Sequence, residues 1–520
     1  MCEEYSILTP TRTVSKEPVS EPIFFQDLNL NQILEAIFYT KKEYDLREYY
    51  YRFPGEESVL LYRQEILKDM EGESIFQVFD KFSKRIHIVE DYLGHWKQTK
   101  RMQQKQKWQY DALLVYYEAV EGLYEGLVKE TIQSEGLKKL KEVLNTLRRK
   151  DDYVNFREQL LVLKEEFDLM RVLITINHDK LKIVTGSEEK DYCDRFETLF
   201  PKTYRNQKRS EFIESPFSQE DDLSRFEQLG IELYENHSKE IFQKLAAFSE
   251  QFATVIEPWV MEIAKEVQFY LSFLLFERQY ETEEHSFTYP TIASGGTFQI
   301  QDGYDLALWI KNSYQQIAVV PNDLDYQNKE RFMVVTGPNQ GGKTTFARSI
   351  GQIIYFALLG LKAPCSYARM PMLYGIRTHF SVEESMETGR GKLLEELTRL
   401  EPMMKSLSKQ NFVIINELFT TAASYDAYIM GKRVMQHFIE QECYGIYVTH
   451  IQELAKETEE IVSLSAIVDE KEHHHRTYKI IRKEAEGIGY ANGIVEKYQL
   501  TYTDIKRRLS NEGIATISNE

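Results

Sequence analysis

The residues from Gly337 to Thr344 have the types and the spacing to bind phosphate. Their sequence, GPNQGGKT, fits the pattern G-x-x-x-x-G-K-[ST] of a P-loop. Glycines allow consecutive backbone N–H groups to face a polyphosphate, and the start of the following helix adds the positive end of its dipole. Lys343 would reach the β- and γ-phosphates, and the Thr344 hydroxyl would bind Mg²⁺. The predicted nucleotide-binding residues are Gly337, Pro338, Asn339, Gln340, Gly341, Gly342, Lys343, Thr344 and Thr345.

Two later strand ends carry polar side chains that suit phosphate chemistry. The run FVIINE ends at Asn416 and Glu417, where a P-loop ATPase normally has two acidic residues. Asn416 can accept a hydrogen bond from a metal-bound water but brings no charge to Mg²⁺, so weaker metal binding or slower turnover is expected. Glu417 is the predicted catalytic base. His450, at the end of YGIYVTH, would sense the γ-phosphate, although a strand-end histidine is often only a local hydrogen-bonding group.

The elements around these residues have the order that the chemistry requires. The strand RFMVV leads into the loop, and the helix TTFARSIGQIIYFALLGL follows it. From about residue 24 to 280, apolar residues recur at three- and four-residue steps and proline is scarce, which predicts helices. After Glu284, short β-rich runs such as MLYGI and NFVII alternate with helical segments. The sequence predicts a multidomain chain, with an all-α domain followed by an α/β P-loop domain.

Composition sets limits on the class of protein. The chain has 520 residues, of which 42% are hydrophobic and 28% charged, as is ordinary for a globular protein of several domains. No membrane span or secretory signal is visible. Four widely separated cysteines, Cys2, Cys193, Cys365 and Cys443, indicate free thiols and a cytoplasmic protein. The adjacent histidines of EHHHRTY (472–478) cannot all face one metal ion and are expected at the surface.

Four segments resemble the ATPase domain of the MutS family in sequence, order and approximate spacing. They are TGPNQGGKTT, TGRGKLLEEL (388–397), FVIINELFTTAASYDAY (412–428) and YVTHIQELA (447–455). Upstream, VVPNDLDY resembles the entry to that domain, and DLNLNQILEAI with LLYRQEILKDM resembles the start of the family's helical core. The chain would then comprise a loose N-terminal segment (1–23), a helical core and lever domain (24–283), a P-loop ATPase domain (284–510) and a tail (511–520).

The resemblance implies a homodimer in which each ATP lies between two ATPase domains, as in ABC-type engines. A signature segment of one subunit would contact the γ-phosphate held by the other, and it matches Gly389, Arg390 and Gly391 here. Gly391 replaces the family's serine, so a hydroxyl is lost while backbone N–H groups remain. Asp426 matches the aspartate that contacts the partner subunit. With Asn416 and Gly391 departing from the family pattern, we expect ATP binding and dimer closure but slow hydrolysis.

Mismatch-recognising members of the family carry an N-terminal domain that inserts a Phe-x-Glu motif into the duplex, and then a connector domain. This chain starts at the helical core, and its FRE triplet (156–158) is interpreted as a chance match. We therefore expect a protein related to mismatch repair that has no mismatch-reading wedge.

Basic segments in the helical region predict a nucleic-acid partner. A net charge of −18 argues against a surface that coats nucleic acid all over, but it allows local patches. The main ones are KQTKRMQQKQKWQY (97–110) and KKLKEVLNTLRRK (138–150), and PKTYRNQKR (201–209) is a third. They could hold a phosphate backbone, or they could be solvated basic faces of an acidic protein. Because all three lie in the predicted lever region, DNA is the expected partner.

Three functional hypotheses follow. The first is an ATPase clamp that closes on DNA during repair or recombination, with no membrane attachment. The second is an ATP-gated binding module with little hydrolysis that acts on protein or RNA, including ribosomal RNA. The third is a structural ATPase of the chromosome-maintenance kind, which is disfavoured because the ATPase region has no long coiled-coil insertion. Salt-sensitive binding to DNA would favour the first.

Overall fold

The computed structural model describes residues 5–10, 20–169, 172–177, 180–185, 239–293, 297–313, 315, 317–381, 392–405, 409–468, 476–484 and 502–511. The chain divides into two compact units. One unit contains residues 1–73, 133–137 and 265–520, and the other contains residues 74–132 and 138–264. Within the described ranges, no helix is long and apolar enough to cross a lipid bilayer.

Helices dominate the described chain before residue 281. Their bounds are α1 Phe24–Asp27, α2 Leu30–Phe38, α3 Arg47–Tyr51, α4 Glu57–Met70, α5 Glu73–Gln98, α6 Met102–Lys129, α7 Glu135–Arg149, α8 Asp151–Asp168, α9 Lys239–Gln251 and α10 Pro258–Tyr280. Ile241, Leu245 and Phe248 lie on the buried face of α9, as their three- and four-residue steps predict. Pro258 begins α10, where a missing N–H interrupts no intrahelical hydrogen bond.

The prediction of an all-α first domain is wrong at one place. Strands β1 Val172–Asn177 and β2 Lys180–Thr185 form an antiparallel pair in which Val172 lies opposite Thr185. The β-branched residues of VLITIN and the alternation of KLKIVT are typical of strands. The long helical pattern on both sides of this short pair concealed it in the sequence.

The prediction of a loose N-terminal segment is wrong for residues 5–8, which are buried. The Glu266 carboxylate of α10 accepts hydrogen bonds from Ser6 Oγ and from the Ile7 N–H, each at 2.8 Å. The groups that bind this segment lie far along the chain, so local sequence could not show that it is ordered.

Strands and helices alternate after residue 284. The strands are β3 Thr291–Ile292, β4 Phe298–Gly303, β5 Asn322–Tyr326, β6 Phe332–Thr336, β7 Tyr367–Met370, β8 Ile376–Phe380, β9 Phe412–Asn416, β10 Tyr444–Val448, β11 Ile461–Val468 and β12 Arg476–Arg482. The helices are α11 Leu306–Ser313, α12 Lys343–Leu359, α13 Lys392–Lys405, α14 Ser424–Glu440 and α15 Tyr502–Asn511. The predicted order of a helical region followed by an α/β region is confirmed. The exact domain boundary at residue 284 stays a prediction.

The strands after residue 284 form two sheets. One has the order β12-β11-β6-β10-β9-β8, in which neighbours from β11 to β8 run parallel and β12 is antiparallel to β11. The other has the order β3-β7-β4-β5 and is mainly antiparallel. Every residue of β6, β9 and β10 is buried, as expected for central strands of a parallel sheet.

Strand β8 starts later than its sequence predicts. Ile376, its first residue, is the last residue of the predicted run MLYGI. Apolar composition could not place this start, because the start depends on pairing with β9, where Ile376 lies opposite Phe412.

Parallel order brings the carboxyl ends of β6, β9 and β10 to one edge of the larger sheet. Phe332 of β6, Ile415 of β9 and Tyr447 of β10 share one apolar core with Val434 and Phe438 of α14. The residues that follow these strands are therefore held close together by a packed core. That edge is where open α/β sheets bind ligands.

Candidate functional site

The glycine-rich residues predicted to bind phosphate form the turn between β6 and α12. Backbone φ is +119° at Gly337, +60° at Gln340 and +89° at Gly342, all in the left-handed region. A side chain at either glycine would strain this backbone. Gly342 is the N-cap of α12, so the unpaired N–H groups of the first helical turn begin directly after it.

Close packing against β11 also holds this turn in shape. A Cβ atom on Gly337 would lie 3.0 Å from the Cβ of Ala466, and one on Gly341 would lie 2.9 Å from it. Side chains do not tolerate such distances, so the turn can approach β11 only with glycine at these positions. The packing therefore requires glycine at both positions.

Lys343, the first residue of α12, folds its side chain back over the turn. Its ammonium donates hydrogen bonds to the carbonyl oxygens of Gly337 and Pro338, both at 3.0 Å, and the residue is buried. Burial lowers the pKa of Lys343; the Glu417 carboxylate opposes this shift and the positive charge of Arg476 adds to it. A buried cation beside a helix N-terminus is a favourable environment for an anion.

Thr344 and Asn416, the two residues predicted to serve Mg²⁺, are brought together. The Thr344 hydroxyl donates a hydrogen bond to the side-chain oxygen of Asn416 at 3.1 Å. Thr344 lies in the first turn of α12, and Asn416 is the last residue of β9. Their oxygens are the type of ligand that Mg²⁺ prefers, but neither side chain carries a negative charge.

Glu417 and His450 are also in direct contact. Nε2 of His450 lies 2.9 Å from Oε1 of Glu417, and both side chains are partly exposed. Glu417 has a left-handed backbone, with φ of +57°, and its N–H donates to the carbonyl of Val448 in the neighbouring strand. A non-glycine residue in this conformation costs about 1–3 kcal/mol, so the surrounding structure must hold it.

Glu396 of α13 holds the turn that follows Glu417. Its Oε2 accepts a hydrogen bond from the Phe419 N–H at 3.1 Å, and Glu396 is buried. Phe419 also has a left-handed backbone, with φ of +62°. Glu396 was not among the predicted site residues, although it lies in the segment TGRGKLLEEL, because spacing alone could not show which carboxylate of α13 faces this turn.

A cavity of about 480 Å³ opens beside the glycine-rich turn. Its lining includes residues 339–346, Glu417, residues 317–320 and Tyr478. A volume of this size suits a ligand as large as a nucleotide. Residues 317–320 and Tyr478 were not among the predicted site residues. Val319 and Val320 begin the segment VVPNDLDY, and Tyr478 ends the segment EHHHRTY, but neither segment indicated a wall of the cavity.

Asp426 and His450 are described but do not line this cavity. Gly389, Arg390 and Gly391 fall outside the described residues. Asp426 is exposed in the first turn of α14 and does not line the cavity. His450 does not line it either, and it is connected to the site through Glu417.

The basic segment 97–110 covers the end of α5 and the start of α6. The Trp108 ring stacks on His95, with centroids 4.9 Å apart, and the Lys105 ammonium lies 4.6 Å from the centre of the Trp96 ring. Three of its cationic side chains are exposed where the two helices meet: Lys97 in the last turn of α5, and Lys100 and Arg101 between the helices. This combination of aromatic rings and exposed cations suits a nucleic-acid backbone.

Part of the second basic segment, 138–150, is occupied within its own unit. The guanidinium of Arg148 pairs with Glu121 at 2.6 Å, and the ammonium of Lys150 pairs with Glu257 at 2.8 Å. Less of its charge is therefore available to a partner than the sequence suggests. The third segment, 201–209, lies outside the described residues.

The fold and the site are those of an open α/β domain. The domain has a central parallel sheet, a glycine-rich turn between β6 and α12, and polar side chains at the carboxyl ends of neighbouring strands. Such α/β domains bind ligands in the crevice at this edge.

Comparison with known proteins identifies the family. Residues 333–496 match MutS domain V. DNA mismatch repair protein MSH3 of Arabidopsis thaliana is 32% identical over 26% of this chain and 13% of its own length. DNA mismatch repair protein MutS of Syntrophomonas wolfei is 26% identical over 36% of this chain and 22% of its own. MutS of Pseudothermotoga lettingae is 24% identical over 52% of this chain and 34% of its own.

Residues 333–496 are therefore a MutS domain V, and the similarity to MutS proteins extends over as much as 52% of the chain. The resemblance found in the sequence is thereby confirmed. The chain spans about a third or less of the length of these curated relatives.

Proposed function

We propose that the chain binds Mg–ATP in this cavity, hydrolyses it slowly, and uses the nucleotide to close a homodimer on DNA in a process related to mismatch repair. One observation carries the proposal. Lys343, the Thr344–Asn416 pair and Glu417 converge at one edge of the sheet, in a domain that matches MutS domain V. The relatives above are DNA mismatch repair proteins by name.

The residues of the turn fit a polyphosphate. The N–H groups after Gly342 and the Lys343 ammonium offer donors and positive charge on the same side of the cavity. The ammonium would exchange its two neutral carbonyl acceptors for phosphate oxygens. The exchange is favourable because phosphate oxygens carry negative charge, which adds direct attraction between the ammonium and the anion to its hydrogen bonds.

Thr344 and Asn416 fit Mg²⁺, which commonly keeps several waters and takes few protein ligands. When bound, the ion would neutralise charge on the phosphates. Asn416 would orient a metal-bound water through its side-chain oxygen, as an aspartate does, but without adding charge. This missing charge is the reason for proposing a slow ATPase.

Glu417 would accept a proton from an attacking water. Its carboxylate lines the cavity, and the hydrogen bond to His450 restricts its rotation. Proton transfer to a positioned carboxylate contributes about 10²- to 10⁴-fold to such reactions. His450 would orient Glu417 and respond to the γ-phosphate through it.

Steady-state phosphate release from Mg–ATP tests the nucleotide part of the proposal. Lys343→Ala should abolish release, and Lys329→Ala is a matched control because Lys329 is a highly exposed lysine just before β6. Equal release by the wild type and the Lys343→Ala variant would contradict the proposal. Tight ATP binding without release that depends on Lys343 would instead indicate a nucleotide-gated binder. Sedimentation with and without ATP tests dimer closure.

Binding to duplex and branched DNA at several salt concentrations tests the partner. Replacing Lys97, Lys100 and Arg101 by alanine should weaken binding and reduce the slope of log affinity against log salt, by about one for each phosphate that is no longer neutralised. Lys84→Ala is the control, since Lys84 is exposed on α5 but lies outside the basic segment. DNA affinity that changes neither with salt nor with the triple substitution would exclude this surface as the DNA-binding site. A protein or RNA partner would then be tested.

A further inference from the structure

A buried histidine holds one wall of the cavity from outside the site. His285 follows α10 and is 2% exposed. Its Nε2 lies 3.2 Å from the carbonyl oxygen of Val319, a cavity-lining residue. Because a carbonyl oxygen can only accept, Nε2 carries the hydrogen and donates it. Nδ1 is then a buried acceptor with no hydrogen-bond partner in the described part of the chain.

Aromatic packing fixes the orientation of this histidine. The His285 ring stacks on Trp309 of α11, with centroids 4.0 Å apart and planes 9° apart, and Tyr304 meets it edge-on at 4.9 Å. Trp309 donates its Nε1–H to the carbonyl of Tyr280, the last residue of α10, at 2.9 Å. A continuous series of contacts therefore joins the cavity wall to the end of α10.

The wall has a second anchor at its other end. The Asn322 side-chain amide donates to the carbonyls of Val320 and of Tyr478, at 3.3 and 3.1 Å. Residues 317–320 have the sequence IAVV and are apolar, unlike the glycine-rich turn. An apolar wall suits a flat heteroaromatic base, whereas the turn and Lys343 suit phosphate.

We propose that His285 is a positioning residue for the base of the nucleotide: by holding the Val319 carbonyl while stacked on Trp309, it sets the wall against which the base packs. This inference rests on the proposed function, because the wall recognises a base only if the cavity holds a nucleotide. His285 then contributes to the affinity for the nucleoside and leaves the affinity for the phosphates unchanged. The end of α10 becomes part of the support for base binding.

Calorimetric titration with Mg–ATP and with Mg–tripolyphosphate, which has no nucleoside, tests this division. His285→Phe keeps an aromatic ring against Trp309 but removes the donor, and it should weaken ATP binding about tenfold, the effect of removing one hydrogen bond. Its affinity for tripolyphosphate should stay within about twofold of the wild-type value. His285→Gln, which can donate from its amide, should recover most of the ATP affinity. Trp309→Phe removes the hydrogen bond to Tyr280, and its ATP affinity should lie between those of His285→Phe and His285→Gln.

His437→Phe is the matched control, because this partly buried histidine of α14 lies beside Phe438 and does not line the cavity. A selective loss for ATP with recovery by glutamine supports the inference. Equal losses for ATP and tripolyphosphate would overturn it, because His285 would then act on the whole loop, and so would unchanged ATP affinity in His285→Phe. If the wild-type protein binds neither ligand, the proposed function itself fails.

Discussion

The Thr344 hydroxyl donates to the side-chain oxygen of Asn416 at 3.1 Å, which joins the first turn of α12 to the end of β9 through a neutral contact. Most P-loop ATPases have an acidic residue at the second position. The two oxygens of the proposed Mg²⁺ site are therefore in contact, but neither side chain brings a negative charge. This separation of geometry from charge can be tested directly.

Asn416→Asp should restore the missing charge. A carboxylate next to Thr344 would strengthen the hydrogen bonds around Mg²⁺, since charge-assisted bonds are about twice as strong as neutral ones. We expect the Mg²⁺ concentration for half-maximal phosphate release to fall about tenfold, equivalent to about 1.4 kcal/mol, and the release rate to rise. Asn416→Ala, which removes the oxygen, should shift both quantities the other way. An unchanged rate in Asn416→Asp would move the limiting step to the segment containing Gly391.

Glu417→Gln should separate binding from hydrolysis. The substitution keeps the volume of the side chain but removes its ability to accept a proton from water. ATP affinity should change by less than about threefold, while phosphate release falls about 100-fold or more. Glu440→Gln is the control, because Glu440 is exposed at the end of α14. Full turnover in Glu417→Gln would remove Glu417 as the base.

Glu396 should act on turnover through the Phe419 turn. Glu396→Ala leaves the buried Phe419 N–H without this acceptor, at a cost of about 1–3 kcal/mol in the free energy of unfolding. We expect a lower kcat with little change in ATP affinity, because Phe419 holds the backbone next to Glu417. Glu396→Gln keeps an acceptor and should recover most of the rate, whereas Glu401→Ala changes an exposed residue of the same helix. A matching loss in kcat and affinity would point to general unfolding instead.

His379 should make the protein less stable in mild acid. Burial in β8, together with the positive charge of Arg399, lowers the pKa of His379 to about 4, below its ordinary value near 6.5. The unfolded chain therefore binds a proton between about pH 6.5 and 4 that the folded chain excludes. The free energy of unfolding is therefore unaffected by this group above about pH 6.5. It decreases as the pH falls towards 4, by an amount on the order of 3 kcal/mol.

Urea unfolding at pH 7.5 and pH 5 measures this dependence. His379→Leu removes the titrating group and should reduce the stability lost between the two values. His437→Leu is the control, since that side chain is only partly buried on α14. An identical loss in the wild type and His379→Leu would show that other groups cause the acid sensitivity.

Much of the site could be predicted from short stretches of sequence. The loop from Gly337 to Thr344, the strand ending at Asn416 and Glu417, and the strand before His450 each carry their chemistry within a few residues. Parallel strands then bring their carboxyl ends to one edge, so the contacts of Thr344 with Asn416 and of Glu417 with His450 follow from local pattern and a general rule of topology. The order of a helical region before an α/β region was likewise evident from periodicity.

Tertiary structure alone decided which distant side chains hold particular backbone segments in place. Glu396 holds the Phe419 turn, His285 holds Val319, and Glu266 binds the N-terminal residues Ser6 and Ile7. The packing of the helices also pairs Arg148 and Lys150 with carboxylates, so a segment that is continuously basic in sequence has less unpaired positive charge in the fold. Each of these contacts joins groups that are distant in the chain. Local periodicity describes which face of an element is apolar, whereas the partner of a buried polar group depends on how the elements pack.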